Sequence, residues 1–353
     1  MMNEDPGAAP TIAALLPLKV TGRHYAENLS RLDVLLSSLL HFGARDVLDE
    51  IVIVTPTDEV ALAQGYAANW PEIPIRVVGE AGHFAVFGKY AMPWQVRPWQ
   101  RQQIIKLNAP ALTDADFILT LDPDIVARAP LSRATLLPGG RALLQTESRS
   151  VHRRWWIDSS RVLRVHADLD RPGMGVTPAV LSRDILLQMQ ARIEKCNGRP
   201  WMNVLLTSYS EWTEYTLYLL AAEHHAMVDQ FHHRCGDATS GAVSPLLISE
   251  SSIWSPVAHG DDEQRLRDLV SATIAGSDSS LFSVVASNTG TSANVVAEAA
   301  SAVFPVRLTP VGEPPEGRRL AKIRERAVTA SRLAASAIYR ARSAGRRPML
   351  DAD

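Results

Sequence analysis

The sequence has little cysteine: Cys196 and Cys235 are the only two in 353 residues. So few thiols exclude a disulfide framework, and without CxxC spacing they argue against a cysteine-held zinc, so a reducing cytosol is the expected setting. Net charge is also scarce. With 36 Lys+Arg against 38 Asp+Glu the formal balance is −2, which supplies no global cationic field, and nucleic acid is not an expected partner. No window approaches the ~18 apolar residues of a membrane span, and MMNEDPGAAP at the start is acidic where a secretory leader would be basic and then apolar. The expectation is a cytoplasmic protein, at most peripheral at the inner face of a membrane. Two phosphate fingerprints are missing as well: no GxGxxG follows the first apolar run, and GxxxxGK[ST] occurs nowhere. Dinucleotide dehydrogenases and P-loop kinases recede accordingly.

What is present is 46% apolar residues, enough for a large core. Residues 12–18 form an apolar run, and over 25–42 Leu29, Leu32, Leu35, Leu36, Leu39 and Leu40 recur at helical spacing. Ile51 to Val54 is β-branched and continuously apolar, as a strand covered on both faces should be; a helical stretch near 58–69 follows, then a weaker strand at 75–78. Residues 99–108 read as helix and 117–121 as another buried strand. Such alternation predicts an α/β fold, a mostly parallel sheet flanked by helices, with its ligand at the carboxyl ends of the strands. Beyond residue 140 the pattern predicts an α+β half: a strand at 142–144, an Arg/Trp-rich stretch at 151–166, helices at 178–195 and 210–226, and short β-branched runs over 284–310. The expected organisation is one domain over 11–310, divided into 11–140 and 141–310, followed by a basic tail at 316–353.

The segment richest in chemistry is Thr120-Leu121-Asp122-Pro123-Asp124-Ile125-Val126. Two carboxylates stand two residues apart at the end of a buried strand, and Pro123, with its fixed φ, restricts Asp122 to extended conformations. Acidic oxygens there suit a hard divalent cation that shares its remaining positions with a diphosphate; surface turn carboxylates are the plain alternative. Upstream, Lys106 shares a helix face with Gln102 and Gln103, where its charge could offset a departing diphosphate or simply face solvent.

A strand ending in DxD within an α/β half, preceded by a helix with a Gln/Lys pattern, resembles the nucleotide-sugar glycosyltransferases of the GT-A fold over roughly residues 11–260. More narrowly, Trp99-Gln100-Arg101-Gln102-Gln103-Ile104-Ile105-Lys106-Leu107 running into LTLDPDIV is similar to a bacterial branch of these enzymes. The resemblance implies a GT-A-like, Rossmann-type mixed sheet, with 11–140 as the nucleotide-binding half and 141–310 as the acceptor half. It further implies a nucleotide-sugar donor, a carbohydrate or glycolipid acceptor, and Mn²⁺ or Mg²⁺ on Asp122 and Asp124. A downstream histidine is the family's usual third ligand. His259 is the candidate, as ligand or as ordinary surface residue, with His232 and His233 competing. The nucleotide is expected beside Pro17, Leu18, Lys19 and Thr55, with Gln103, Lys106 and Asp122 also in the donor site.

An acidic residue after a turn serves the resembled family as general base. Glu211 would fill that role with its pKa raised by burial, and Glu214, three residues on, is the second candidate; either could instead cap a helix. Trp212 and Tyr215 beside them could stack on sugar rings. Gly173 and Gly175 permit close backbone approach to a ligand or merely form a turn. Arg153, Arg154, Trp155, Trp156 and Asp158 suit an anionic or carbohydrate acceptor, and equally a packed corner.

Residues 317–353 hold ten Arg/Lys against three acidic residues, a formal +7. Leu320, Ile323, Ala327, Ala330, Leu333, Ala334, Ala337, Ile338 and Ala341 recur at helical spacing, so 316–343 could lie on anionic lipid as a basic amphipathic helix, or stay solvated. The expected function is metal-dependent glycosyl transfer in bacterial glycan or envelope synthesis. Nucleotidyl transfer, or carbohydrate binding without catalysis on the same scaffold, are the alternatives; the lack of an early Gly-rich basic loop speaks against the former.

Overall fold

The computed structural model describes residues 9–21, 25–89, 98–207, 211–239, 242–256, 263–276 and 278–310. Its centre is a five-stranded sheet. β1 (Ile12–Pro17), β2 (Glu50–Thr55), β3 (Ile75–Gly79) and β4 (Phe117–Thr120) are mutually parallel in the order β3-β2-β1-β4, and the strand Ala179–Ser182 closes the β4 edge antiparallel. The second half of the chain thus contributes a strand to the sheet of the first.

Both faces of this sheet are covered, which is why its strands read as unbroken apolar runs. Successive side chains of a strand point to opposite faces. Ile12, Ala14 and Leu16 of β1 join Ile51 and Ile53 of β2 under α1 (Tyr25–His41), whose Leu32, Leu35, Leu36 and Leu39 have no exposed surface. Each such leucine contributes roughly 1.5–3 kcal/mol relative to the exposed side chain. On the opposite face Leu15, Val52, Val54 and Ile118 meet Ile104, Ile105 and Leu107, together with helices from the second half. The remaining early helices are α2 (Val60–Ala67), two single-turn pieces, α3 (Glu80–His83) and α4 (Val86–Lys89), and α5 (Pro98–Leu107). α5 carries Ile104, Ile105 and Leu107 into the core.

Several expectations for the second half need correction. Residues 178–195 are not one helix: Ala179–Ser182 is a strand, and the helix is Arg183–Asn197. An apolar run buried on every side carries no period that separates strand from helix. The helix expected at 210–226 spans Glu214–His224 because Thr213 caps it; the Thr213 hydroxyl accepts from Thr216 N–H and the Thr216 hydroxyl from Thr213 N–H. Among the β-branched runs of 284–310, Phe282–Val284 pairs antiparallel with β5 (Ile125–Ala127), the strand that leaves the DPD turn. Val295 and Val296, in contrast, lie in the helix Ala293–Ser301, and 303–308 forms no strand. The Arg/Trp-rich stretch is a helix, Arg153–Leu163, with Trp156 packed inside. Among the described residues no helix is long and apolar enough to cross a membrane. The tail at 316–353 lies outside the described residues.

Candidate active site

The strand order has a reversal in it. From β1 the chain steps to β2 and β3 on one side, then places β4 on β1's other side, so β1 and β4 flank the point where such sheets open a ligand crevice beyond their carboxyl ends. The DPD turn stands there. Leu121 N–H still donates to Leu15 O of β1 at 2.9 Å, and Ile125 N–H closes the turn on Asp122 O at 3.2 Å.

Asp124 is fixed from far along the chain. Its Oδ2 accepts from Ser287 N–H at 2.8 Å, and its carbonyl accepts from Val285 N–H at 3.1 Å. The 285–291 segment is held in turn by buried Arg31 of α1, which donates to Val285 O at 2.8 Å and to Thr291 O. Burial pushes the Asp124 pKa above the usual carboxylate value, and the Asp122 charge pushes it further, while Ser287 N–H and Arg31 oppose. A carboxylate pushed toward its protonated form by a neighbouring carboxylate gains from any added positive charge.

Asp122 faces Lys106. The Lys106 Nζ lies 3.1 Å from both Asp122 oxygens, 2.7 Å from Thr177 Oγ1 and 3.5 Å from Glu214 Oε1. Only 3% of the lysine side chain is exposed. Burial alone would favour the neutral amine, but the Asp122 and Glu214 charges outweigh it and raise the pKa, so this is an ammonium ion. Glu214 is buried too; burial raises its pKa and Lys106 opposes. Its own N–H donates to Gln103 Oε1 at 3.1 Å. Behind these groups the Tyr215 hydroxyl bonds to Thr120 Oγ1 at 2.9 Å and to Thr177 Oγ1. Gln103 Nε2 is buried with no hydrogen-bond partner, an expensive arrangement for a polar atom unless something else engages it.

Counted formally, Asp122, Asp124 and Glu214 oppose one ammonium, leaving two negative charges at the mouth of the sheet. A divalent cation fits that balance. Among the described residues no group of three or more His, Cys, Asp or Glu is arranged to hold a metal, so the protein donors at hand are the two aspartates. His259 lies outside the described residues.

Other expected site residues fall elsewhere. Pro17 and Thr55 are buried inside the sheet, so of the proposed nucleotide neighbours only Lys19 offers an exposed side chain. Gln102 is exposed, whereas Gln103 and Lys106 point inward. Glu211 is 38% exposed, precedes the Glu214 helix rather than sharing it, and pairs with Arg154 at 3.4 Å. The burial expected for it is therefore absent. Trp212 and Tyr215 are core side chains, 1% and 4% exposed, and cannot stack on a sugar. At Gly173 a Cβ would come within 2.5 Å of Trp156 Cζ2, so this glycine serves packing. His232 is buried between the Tyr218 hydroxyl and Ala142 O, its pKa lowered by burial to about 4, and His233 lies against Arg141 and Asp237 O. Thr177, Arg31 and Ser287 escaped sequence reasoning, since a lone hydroxyl, a guanidinium remote in sequence and a backbone N–H carry no motif.

The architecture is similar to that of mouse xyloside xylosyltransferase 1 in its apo form, at 11% identity and TM-score 0.45, covering 80% of this chain and 99% of that one. It is similar also to the galactosyltransferase LgtC in complex with donor and acceptor sugar analogs, at 13% identity and TM-score 0.43, covering 85% and 98%. A third similar structure is glucosyl-3-phosphoglycerate synthase from Mycobacterium tuberculosis with Mn²⁺, UDP and glucosyl-3-phosphoglycerate, at 15% identity and TM-score 0.36, covering 64% and 69%. Likeness at this level carries no argument about chemistry. No curated protein matches the chain. Residues 9–307 match DUF6492, described as a family of unknown function, and the chain belongs to that family.

Proposed function

We propose that this protein is a divalent-metal-dependent glycosyltransferase that moves a sugar from a nucleotide-diphosphate sugar to a hydroxyl of a carbohydrate or glycolipid acceptor. The observation that carries the reading is the gathering of three carboxylates, Asp122, Asp124 and Glu214, with the Lys106 ammonium at the sheet's switch point. Asp122 and Asp124 would hold the ion, and Mn²⁺ or Mg²⁺ there would supply charge to the diphosphate as it leaves.

The chain's own groups divide the remaining work. Lys106 positions the Asp122 carboxylate and keeps Glu214 ionised. Glu214, rather than the exposed Glu211, is the base: as the sugar C1–O bond to the diphosphate breaks and the C1–O bond to the acceptor forms, the acceptor hydroxyl proton passes to its carboxylate. A carboxylate whose pKa is raised by burial is a better proton acceptor than an ordinary one. Gln103 orients the first turn of the Glu214 helix through the Glu214 N–H. Residues 316–343 would attach the enzyme reversibly to anionic lipid at the cytoplasmic face. Flotation with phosphatidylserine vesicles, lost on removal of 316–353, tests that attachment.

The central experiment incubates the purified protein with UDP-, GDP- and CMP-sugars, with and without Mn²⁺. Metal-dependent release of UDP or GDP from the diphosphate donors, and no release of CMP from the monophosphate donor, is the expected result. Release of pyrophosphate from nucleoside triphosphates instead would identify a nucleotidyltransferase, and tight nucleotide-sugar binding without turnover would identify a binding protein.

A further inference from the structure

One exposed feature lies close to this cluster and has no part in the chemistry above. Trp70, Trp156 and Trp212 are sealed in the core, yet Trp99, at the start of α5, is 43% exposed. Its ring stands 5.9 Å from that of Trp155, tilted by 44°, and Trp155 in turn lies 3.8 Å from the His152 ring and nearly parallel to it, at 12°. Val151, 62% exposed, adjoins them.

Two connections lead from these rings to the charged cluster. Trp99, Gln103 and Lys106 occupy positions i, i+4 and i+7 of α5 and so share one face of the helix. From Trp99 to Lys106 the axial distance is about 10 Å, the reach of a disaccharide. Trp155 lies one residue beyond Arg154, whose ion pair with Glu211 ties this helix to the segment that enters the Glu214 helix. The rings therefore belong to the two elements, α5 and the Arg153–Leu163 helix with its leading turn, that are tied to the start of the Glu214 helix.

Resting on the glycosyltransferase reading, we propose that Trp99, Trp155 and His152 form an acceptor subsite that stacks on a pyranose ring, one sugar removed from the reacting hydroxyl. A pyranose offers an apolar C–H face rimmed by hydroxyls. Rigid aromatic rings take such a face with little loss of side-chain entropy. The acceptor is then an oligosaccharide or a glycoside of at least two rings.

The test uses chitotriose, cellotriose, maltotriose and xylotriose as probes, each beside its monosaccharide, with binding followed by saturation-transfer NMR and tryptophan fluorescence on the full chain. At least one trisaccharide should bind more tightly than its monosaccharide. Trp99→Ala should weaken that binding about tenfold and Trp99→Phe only about twofold, while UDP affinity in Mn²⁺ stays as in the wild type. The subsite is refuted if no trisaccharide binds, if Trp99→Ala and Trp155→Ala bind as tightly as wild type, or if Trp99→Ala lowers UDP affinity instead, which would make the ring a base-stacking group. Failure of the transferase reading looks different: wild-type protein binds neither UDP nor GDP in Mn²⁺, yet trisaccharide binding still depends on Trp99.

Discussion

Two buried cations, Lys106 and Arg149, sit in surroundings of opposite character. Arg149, with no exposed side chain, donates to Pro172 O, Asp168 O and Glu223, and lies 4.4 Å over the Trp156 ring. Its donors meet mainly fixed backbone carbonyls, and one carboxylate balances its charge closely. Lys106 has two carboxylates around it and a third within the same turn, at the open end of a sheet. A cation that is fully answered ties secondary structures together; one that is outnumbered by anions marks a place where further positive charge belongs.

That contrast can be broken most sharply at Glu214. Glu214→Gln keeps the side chain's shape and should lower kcat by about 10²–10⁴-fold with far less change in KM, as for loss of a general base; steady-state kinetics with the active donor checks it. Next come the two cations. Lys106→Met and Arg149→Met should each cost about 3–5 kcal/mol in urea unfolding, because each strands buried carboxylate charge. The sharpening lies in their response to Mn²⁺: added ion should restore part of the loss in Lys106→Met and none in Arg149→Met.

Asp124→Asn should abolish Mn²⁺-dependent nucleotide binding by calorimetry while changing apo stability by less than about 1 kcal/mol, and in the stabilising direction. The pH dependence follows from the sign. Because the folded pKa of Asp124 lies above its ordinary value of 3.8, the native state binds more protons, and apo stability falls as pH rises through and above that value. The variant should show a shallower fall. The smallest effect is expected at Glu211, whose ion pair with Arg154 is exposed: Glu211→Gln should shift stability by about 0–1 kcal/mol and leave kcat nearly unchanged. A large loss of kcat there would return the base to Glu211.

Much of this arrangement was legible in the amino acids. β1, β2 and β4 announce themselves because strands covered on both faces need no polar alternation, and the DPD turn follows from its place at the end of one. Gln103, Lys106 and Glu214 were legible as candidates that the structure brings together beside Asp122, although Gln102 on the same helix turns outward; spacing groups residues on a face without saying what that face meets. The strand Ala179–Ser182 was hidden because Leu181, Ile185 and Leu186, all fully buried, also satisfy a helical period. Trp212 looked like a sugar platform and Trp99 did not, since an aromatic ring's exposure is decided by neighbours remote in sequence. Most hidden of all was the support of Asp124, a backbone N–H 163 positions away.

That support has an implication for biosynthesis. A ribosome completes β1 through β4 and the aspartate turn long before Val285 and Ser287 emerge, so the nascent chain carries its two carboxylates without the amides that will orient one of them. The turn becomes a shaped pair of carboxylates only when the segment around Ser287, 163 positions later, has folded back against it.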